Sequence, residues 1–153
     1  SMRYVVGRSG EHNISKNVLK FLGQEKQRKI DSIKGCFRFK KKCEISKKKL
    51  RNKIFGILKK GKKIAGYAAT SKSTTILNYC NIDNKQIDFI CDTTPNKIDT
   101  FSPGTHIPIV SVDHFRKNIP DYTFLFAWNH KKEIFIKEKK NLKKTKWFAH
   151  IKI

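Results

Sequence analysis

Residues 66–73 nearly match a phosphate-binding loop. The P-loop pattern has a glycine, four residues and then Gly-Lys-Ser/Thr, whereas this chain has Gly66, four residues and Ser71-Lys72-Ser73. A helix that starts here would direct free amides and the positive end of its dipole at an anion, and Lys72 would add a charge. Ser71 replaces a glycine, and a residue with a Cβ resists the backbone conformation that wraps a triphosphate. The segment therefore predicts a site for some other phosphate or an ordinary strand-to-helix turn.

Polar and aromatic side chains also lie next to the other apolar runs. Asp92 either holds a ribose hydroxyl or caps a turn, and Trp128 either stacks on a base or sugar or packs in the core. Asn129 would lie at the mouth of a pocket. His106, beside Thr105, either bonds a ligand or braces a turn. No catalytic residue and no metal ligand is predicted, and the candidate substrate-binding residues are Gly66, Tyr67, Lys72, Ser73, Thr74, Asp92, Thr105, His106, Trp128 and Asn129.

The elements that would position these residues alternate between strands and helices. Strands that are apolar on both faces and alternate with helices indicate a parallel sheet covered on both sides. We therefore predict an α/β fold, with a Rossmann-like, doubly wound, mostly parallel sheet and helices on both faces. The predicted strands lie at 63–68, 87–92, 106–110, 122–128 and 147–151, and the predicted helices at 74–80, 112–117 and 131–141.

The first 61 residues are predicted to add a strand and helices that pack on this core, so that residues 1–153 form one domain. Tyr4–Gly7 and the alternating Phe37 and Phe39 predict short strands. One helix would start at Ser15 and run to about Lys29, with Val18, Leu19 and Leu22 on one face. Another would start at Ser46 and end at Gly61, with Leu50, Ile54, Ile57 and Leu58 on its buried face.

Composition sets limits on the partners. The 153 residues have a formal net charge of +23, which suggests nucleic acid, anionic lipid or an acidic ligand. Nucleic acid is not favoured, because Arg contributes only six of the 35 basic residues and Arg is the better bidentate phosphate ligand. No apolar run approaches the ~20 residues that cross a bilayer, so no membrane partner is expected. The four cysteines lack zinc-site spacing, and without a signal peptide we expect a cytoplasmic protein.

Several segments, in a fixed order, resemble one enzyme family. They are IAGYAATSKSTTILNYCNID, IDFICDTTPNK, FSPGTHIPI and DYTFLFAWN. The series is similar to the C-terminal domain of S-adenosylmethionine-dependent C-methyltransferases that act on nucleotide-linked deoxysugars. That family shows a G-Y-G-A-A-A-K-G loop, an I-D-x-x-x-D strand, a P-G-T-H-I-P-I segment and an A-W-N strand end. The opening RYVVGRSG is similar to the first strand of the same domain, so the resemblance spans nearly the whole chain.

The resemblance implies a division of labour within a larger enzyme. Enzymes of the family that this chain resembles have three parts: a zinc domain, a central domain that binds the methyl donor and a C-terminal domain similar to this chain. The C-terminal domain helps bind the nucleotide-sugar. A base removes the proton α to a sugar keto group, and the carbanion attacks the sulfonium methyl. By this resemblance the chain is the C-terminal part of a deoxysugar C-methyltransferase. Its partners would be a nucleotide diphosphate-sugar and the S-adenosylmethionine-binding domain of the same or a partner chain. It would bind no cofactor and catalyse no methyl transfer alone.

The chain departs from the family pattern in the loop. Ala68 and Ser73 replace two family glycines and Thr70-Ser71 replace two alanines, while Lys72 is retained. These changes keep two alternatives open. One is a degenerate standalone domain that acts through protein contacts, and the other is a basic module that binds nucleic acid or an acidic partner.

Overall fold

The computed structural model describes residues 3–152. This part of the chain contains five α-helices, six strands and two 3-10 helices. The α-helices are α1 (Lys16–Gln27), α2 (Ile33–Leu58), α3 (Ser71–Cys80), α4 (Val112–Lys117) and α5 (Lys131–Lys137). The strands are β1 (Ile64–Tyr67), β2 (Ile90–Asp92), β3 (Thr100–Phe101), β4 (Pro108–Ser111), β5 (Tyr122–Leu125) and β6 (Lys146–Phe148), and the 3-10 helices are Pro95–Lys97 and Trp128–His130.

The chain forms two compact units. The first ends at Glu44 and the second begins at Ile45, so the boundary falls within α2. The second unit contains all six described strands. The predicted arrangement of residues 1–153 as one domain stays a prediction.

The second unit is built on one sheet with the strand order β3-β4-β2-β1-β5-β6. Its strands are parallel except β3, which pairs antiparallel with β4 at one edge. The chain moves outward from β1 through β2 to β4, then returns to the other side of β1 for β5 and β6. The predicted Rossmann-like, mostly parallel α/β sheet is confirmed, and its topological switch point lies between β1 and β5.

Helices cover both faces of the sheet. On the first face, Ile64, Ile90 and Phe124 pack with buried residues of α2 and α3. On the second face, Cys91 and Leu125 pack with buried residues of α4 and α5. Because successive strand residues point to opposite faces, strands covered on both sides need apolar residues at every position. This is why they appeared in the sequence as continuous apolar runs.

The end of α2 agrees with the sequence prediction, but its start does not. Leu50, Ile54 and Ile57 are buried against the first face, and the Gly61 amide donates to the Leu58 carbonyl at 2.9 Å. Gly61 has a φ of +66°, the left-handed conformation that glycine adopts most easily at a helix end. The predicted start at Ser46 is wrong, because the helix begins at Ile33 and passes through Ser46.

Two short strands predicted near the N-terminus are not formed. Phe37 and Phe39 lie within α2, with 66% and 69% of their surface exposed. No proline interrupts residues 33–58, which contain eight residues of the helix former Lys, and this outweighs a two-residue alternation. Tyr4–Gly7 is irregular and exposed. It has no pairing partner among the six described strands, and an isolated strand leaves its backbone groups without hydrogen bonds.

The helix predicted to begin after Ser15 is confirmed as α1, which has Ser15 at its N-cap. Its apolar residues are not buried, and Val18, Leu19 and Leu22 are 47–59% exposed. Among residues 3–152, no helix has the length and hydrophobicity to cross a bilayer.

Candidate functional site

The switch point brings three strand ends to one edge of the sheet. The Phe126 amide, just after β5, donates to the Tyr67 carbonyl at the end of β1 at 3.1 Å. The Ala68 amide, just after β1, donates to the Cys91 carbonyl of β2 at 2.8 Å. The segments that follow β1, β2 and β5 therefore start side by side at the carboxyl edge, where ligands bind in open parallel sheets.

The segment after β1 caps α3 with its own side chains. Thr70 is the N-cap residue, and its Oγ1 accepts from the Ser73 amide at 3.3 Å. The Ser73 hydroxyl donates to the Thr70 carbonyl at 2.5 Å and is buried. Ser73 therefore braces the helix start. The amides of Ser71 and Lys72 have no intrahelical acceptor, because they lie in the first turn. Lys72 is half-buried beside them, and Thr74 lies four residues after the cap, where its amide donates to the Thr70 carbonyl at 3.2 Å.

Ala68 and Gly66 correspond to two glycines of the family pattern, and glycine suits each position for a different reason. Ala68 has a φ of +72°, so it holds a conformation that favours glycine although it carries a Cβ. Gly66 lies within β1, where an added Cβ would approach a ring carbon of Phe126 to 2.6 Å and Ile90 to 2.9 Å. Gly66 therefore permits close packing on the first face, and its ligand contact stays a prediction without geometric support.

Asp92 lies at the end of β2, and both of its carboxylate oxygens already have partners within the protein. Its Oδ1 accepts from the Thr94 amide at 2.8 Å, and its Oδ2 lies 3.6 Å from Lys97 Nζ. Lys97 also donates to the Ala69 carbonyl at 2.8 Å, so one ammonium joins the loops after β1 and β2. Lys97 and Thr70 line a cavity of about 280 Å³. The structure thus gives Asp92 a role in the turn and places a second lysine at the predicted site.

Tyr67 turns away from this edge into the second face of the sheet. Its hydroxyl donates to Glu138 Oε1 at 3.1 Å, and its ring packs against Phe115 at a centroid distance of 5.3 Å. Glu138 is fully buried and also accepts from Arg116 at 2.8 Å and Asn141 at 3.0 Å. Burial raises the pKa of the Tyr67 hydroxyl, with the negative charge of Glu138 adding to it. Tyr67 is a core residue that contributes to this buried network.

Thr105 and His106 lie elsewhere. They precede β4, and the amino end of a parallel strand lies at the sheet edge opposite to the carboxyl ends. Thr105 Oγ1 shares a hydrogen bond of 2.5 Å with Ser102 Oγ, which also accepts from the Ile107 amide. His106 is exposed with a φ of +51°. This pair stabilises the turn into β4, and the structure does not bring it to the carboxyl edge.

Trp128 and Asn129 are at the predicted edge. They follow β5 in the 3-10 helix Trp128–His130 and line a concavity of about 510 Å³. Asn129 is exposed at its surface, whereas Trp128 is half-buried. The ring of Trp128 lies edge-to-face on His150, with centroids 6.4 Å apart. The structure therefore places Lys72, Thr74, Asp92, Trp128 and Asn129 at or beside the ends of three adjacent strands.

Sequence reasoning missed two residues of this edge. Lys97 was one lysine among many, and its contact with Ala69 spans 28 positions of the chain. His150 has no partner nearby in the sequence that would single it out. Within residues 3–152, no three His, Cys, Asp or Glu side chains come together in a way that could hold a metal ion.

A doubly wound, mostly parallel sheet covered by helices on both faces defines a Rossmann-like domain. Residues 1–151 match the C-methyltransferase C-terminal domain family, and the chain belongs to that family. The chain is also 31% identical over 134 residues to C-methyltransferase NovU of Streptomyces niveus. The match covers 88% of this chain and 32% of NovU, so the chain spans about a third of the length of that relative. The resemblance inferred from the sequence motifs is confirmed at the level of the family.

Proposed function

We propose that this chain is the nucleotide-sugar-binding domain of an S-adenosylmethionine-dependent sugar C-methyltransferase. The observation that carries the proposal is the cluster of donors and cations at the carboxyl ends of β1 and β2, beside the switch point. It fits a ligand that combines a diphosphate with neutral polar rings.

The diphosphate would bind at the start of α3. Two amides of the first turn, those of Ser71 and Lys72, lack intrahelical acceptors, and the helix dipole favours negative charge there. Lys72 is the second residue of α3, and the Lys97 ammonium contacts the carbonyl of Ala69, the residue before the Thr70 cap. Lys97 already has a carbonyl and a carboxylate partner, so it is held in place before a ligand arrives.

The residues of this edge do not suit the methyl donor. Its sulfonium is cationic, whereas the edge gathers cations, and the Asp92 carboxylate is occupied by Lys97 and the Thr94 amide. In this proposal the methyl donor is held by an S-adenosylmethionine-binding domain of the same or a partner chain. The present chain binds and orients the sugar nucleotide and does not transfer a methyl group alone.

Calorimetric titration of this chain with dTDP-glucose tests the proposal. We expect binding to the wild type, and about tenfold weaker binding to each of Lys72→Met and Lys97→Met, because each removes one charge-assisted contact of about 1.5 kcal/mol. Lys85→Met is the matched control, since Lys85 is exposed in the turn before β2, at the opposite edge of the sheet. Absence of binding to the wild type, or an equal effect of all three variants, would count against the proposal.

One observation favours a second candidate, a basic module that binds single-stranded nucleic acid. Phe37 and Phe39 are exposed on α2 beside Arg38, Lys40 and Lys41. Aromatic rings interleaved with basic residues on an exposed surface are typical of single-strand binding. The family membership favours the first candidate, and the salt dependence of ligand binding distinguishes the two.

A further inference from the structure

Two buried polar atoms at the carboxyl edge have no hydrogen-bond partner. They are Nε1 of Trp128 and Nδ1 of His150, and their rings contact each other. Buried polar atoms in folded proteins nearly always have a partner, so an orphan pair in contact requires an explanation. Trp147 Nε1 is also without a partner, but it lies within β6 among the aromatic rings of the second face.

The position of the pair points to a ligand. Trp128 follows the carboxyl end of β5, and His150 follows the carboxyl end of β6, the parallel neighbour of β5. Both therefore lie at the carboxyl edge of the sheet, and Trp128 is one of the residues that line the concavity of about 510 Å³. Asn129 adds an exposed amide to the same concavity.

We propose that Trp128 and His150 form a subsite that hydrogen-bonds hydroxyl groups of the sugar ring of the nucleotide-sugar. This inference rests on the proposed function and assigns part of the ligand to a second place on the edge, separate from the α3 start. It adds His150 to the residues that determine which ligand binds.

The chemistry of the pair suits a hydroxyl better than a phosphate. The Trp128 indole N–H can only donate, whereas a neutral imidazole has one donor and one acceptor nitrogen, and a sugar hydroxyl can both accept and donate. Burial lowers the pKa of the His150 imidazole, so this ring is neutral at physiological pH and offers no charge to a phosphate. The indole face adds an apolar surface that matches the C–H face of a sugar ring.

The indole N–H resonances test the subsite directly. The chain has two tryptophans, so Trp147 serves as the internal control for Trp128. In ¹H–¹⁵N spectra, dTDP-glucose should shift the Trp128 indole resonance and leave that of Trp147 unchanged, whereas dTDP should shift neither. The wild type should bind dTDP-glucose more tightly than dTDP. His150→Phe should reduce this ratio of affinities by about tenfold, because it leaves a ligand hydroxyl unpaired. His150→Gln, which keeps a polar group, should retain part of that advantage and serves if the phenylalanine variant does not fold.

The outcomes separate the two proposals. If dTDP-glucose and dTDP bind equally well, or if the Trp128 resonance stays fixed while calorimetry shows binding, the subsite is overturned and the proposed function stands. If neither nucleotide binds but millimolar methyl glucoside shifts Trp128 and not Trp147, the subsite stands and the nucleotide-sugar function fails. If no probe shifts the Trp128 resonance and none binds, both fail.

Discussion

Ala68 holds an unusual backbone conformation at the first position after β1. Its φ of +72° lies in the left-handed region, which brings the Cβ of an L-residue close to the following carbonyl oxygen. The amide of Ala68 donates to Cys91, so pairing with β2 holds the residue there. The family pattern places a glycine at this position. Ala68 therefore holds, with its Cβ, a backbone conformation that glycine adopts most easily.

Restoring that glycine should stabilise the protein. We expect Ala68→Gly to raise the free energy of unfolding by about 1 kcal/mol, because relief of a left-handed strain of roughly 1–2 kcal/mol outweighs the stability lost through the greater entropy of the unfolded chain. Urea unfolding followed by circular dichroism measures the change. Gly66→Ala, two residues earlier, is the control with the opposite sign, since its new Cβ would clash with Phe126 and Ile90. A destabilised Ala68→Gly variant would show that the φ of Ala68 is not strained.

At the scale of elements, a buried carboxylate joins two helices to the central strand. Glu138 follows α5, Arg116 lies in α4 and Tyr67 ends β1. Burial opposes the ionisation of Glu138, but hydrogen bonds from Arg116, Asn141 and Tyr67 outweigh it and lower the pKa of the carboxyl below 4.5. The network orients the end of β1, from which the candidate binding loop begins.

The network predicts a pH dependence of stability. Because the pKa of Glu138 is lowered by folding, its contribution is fully present above the ordinary glutamate pKa of 4.5 and is lost as the pH falls through the lowered value. Glu138→Gln should reduce the free energy of unfolding by about 2 kcal/mol at pH 7, less than the 3–5 kcal/mol of a fully buried pair because Arg116 reaches solvent. The variant should also lose less stability than the wild type on acidification.

Urea midpoints between pH 7 and pH 3 measure this difference. Glu133→Gln is the matched control, because Glu133 lies in α5 but is exposed in its pair with Lys137. Exposed pairs contribute little, so this variant should keep the stability and acid response of the wild type. Identical acid responses of Glu138→Gln and the wild type would contradict the role of the buried carboxylate.

At the scale of the whole molecule, the formal net charge of +23 attracts any polyanion. Non-specific binding of this kind releases counterions and weakens steeply with salt, by about 10³–10⁵ between 50 and 200 mM for six to ten phosphate contacts. A dTDP-sugar carries a single diphosphate and can form hydrogen bonds with the edge of the sheet. The salt dependence of binding therefore distinguishes non-specific attraction to the net charge from binding at the proposed site.

We expect duplex and single-stranded DNA to bind in 50 mM salt and to be released by 200 mM, while dTDP-glucose stays bound. Fluorescence anisotropy measures the DNA, and calorimetry at the same two salt concentrations measures the sugar nucleotide. Single-stranded binding that persists at 200 mM and depends on Phe37 and Phe39 would instead favour the nucleic-acid candidate. Phe55→Ala provides an aromatic control in the second unit, where Phe55 is 37% exposed.

The sequence alone determined the class of fold, the family and the position of part of the candidate site. Strands buried on both faces must be apolar throughout, so β1, β2, β4, β5 and β6 were visible as runs, and helices with one buried face showed their own period. The order of elements also placed a helix at 74–80, which the structure starts at Ser71, and a strand at 122–128, which the structure ends at Leu125 with Trp128 and Asn129 in the 3-10 helix that follows. The prediction failed at Phe37 and Phe39, because a two-residue alternation cannot decide between strand and helix when no neighbouring strand is known.

Tertiary structure decided which of the predicted residues meet. It placed Lys97 across the ends of β1 and β2, set Trp128 against His150, turned Tyr67 into the core and left Thr105 and His106 at the opposite edge. These contacts join positions some 20 to 70 residues apart. They depend on strand order and direction, which arise only when the strands pair, and no local pattern of residue types encodes them.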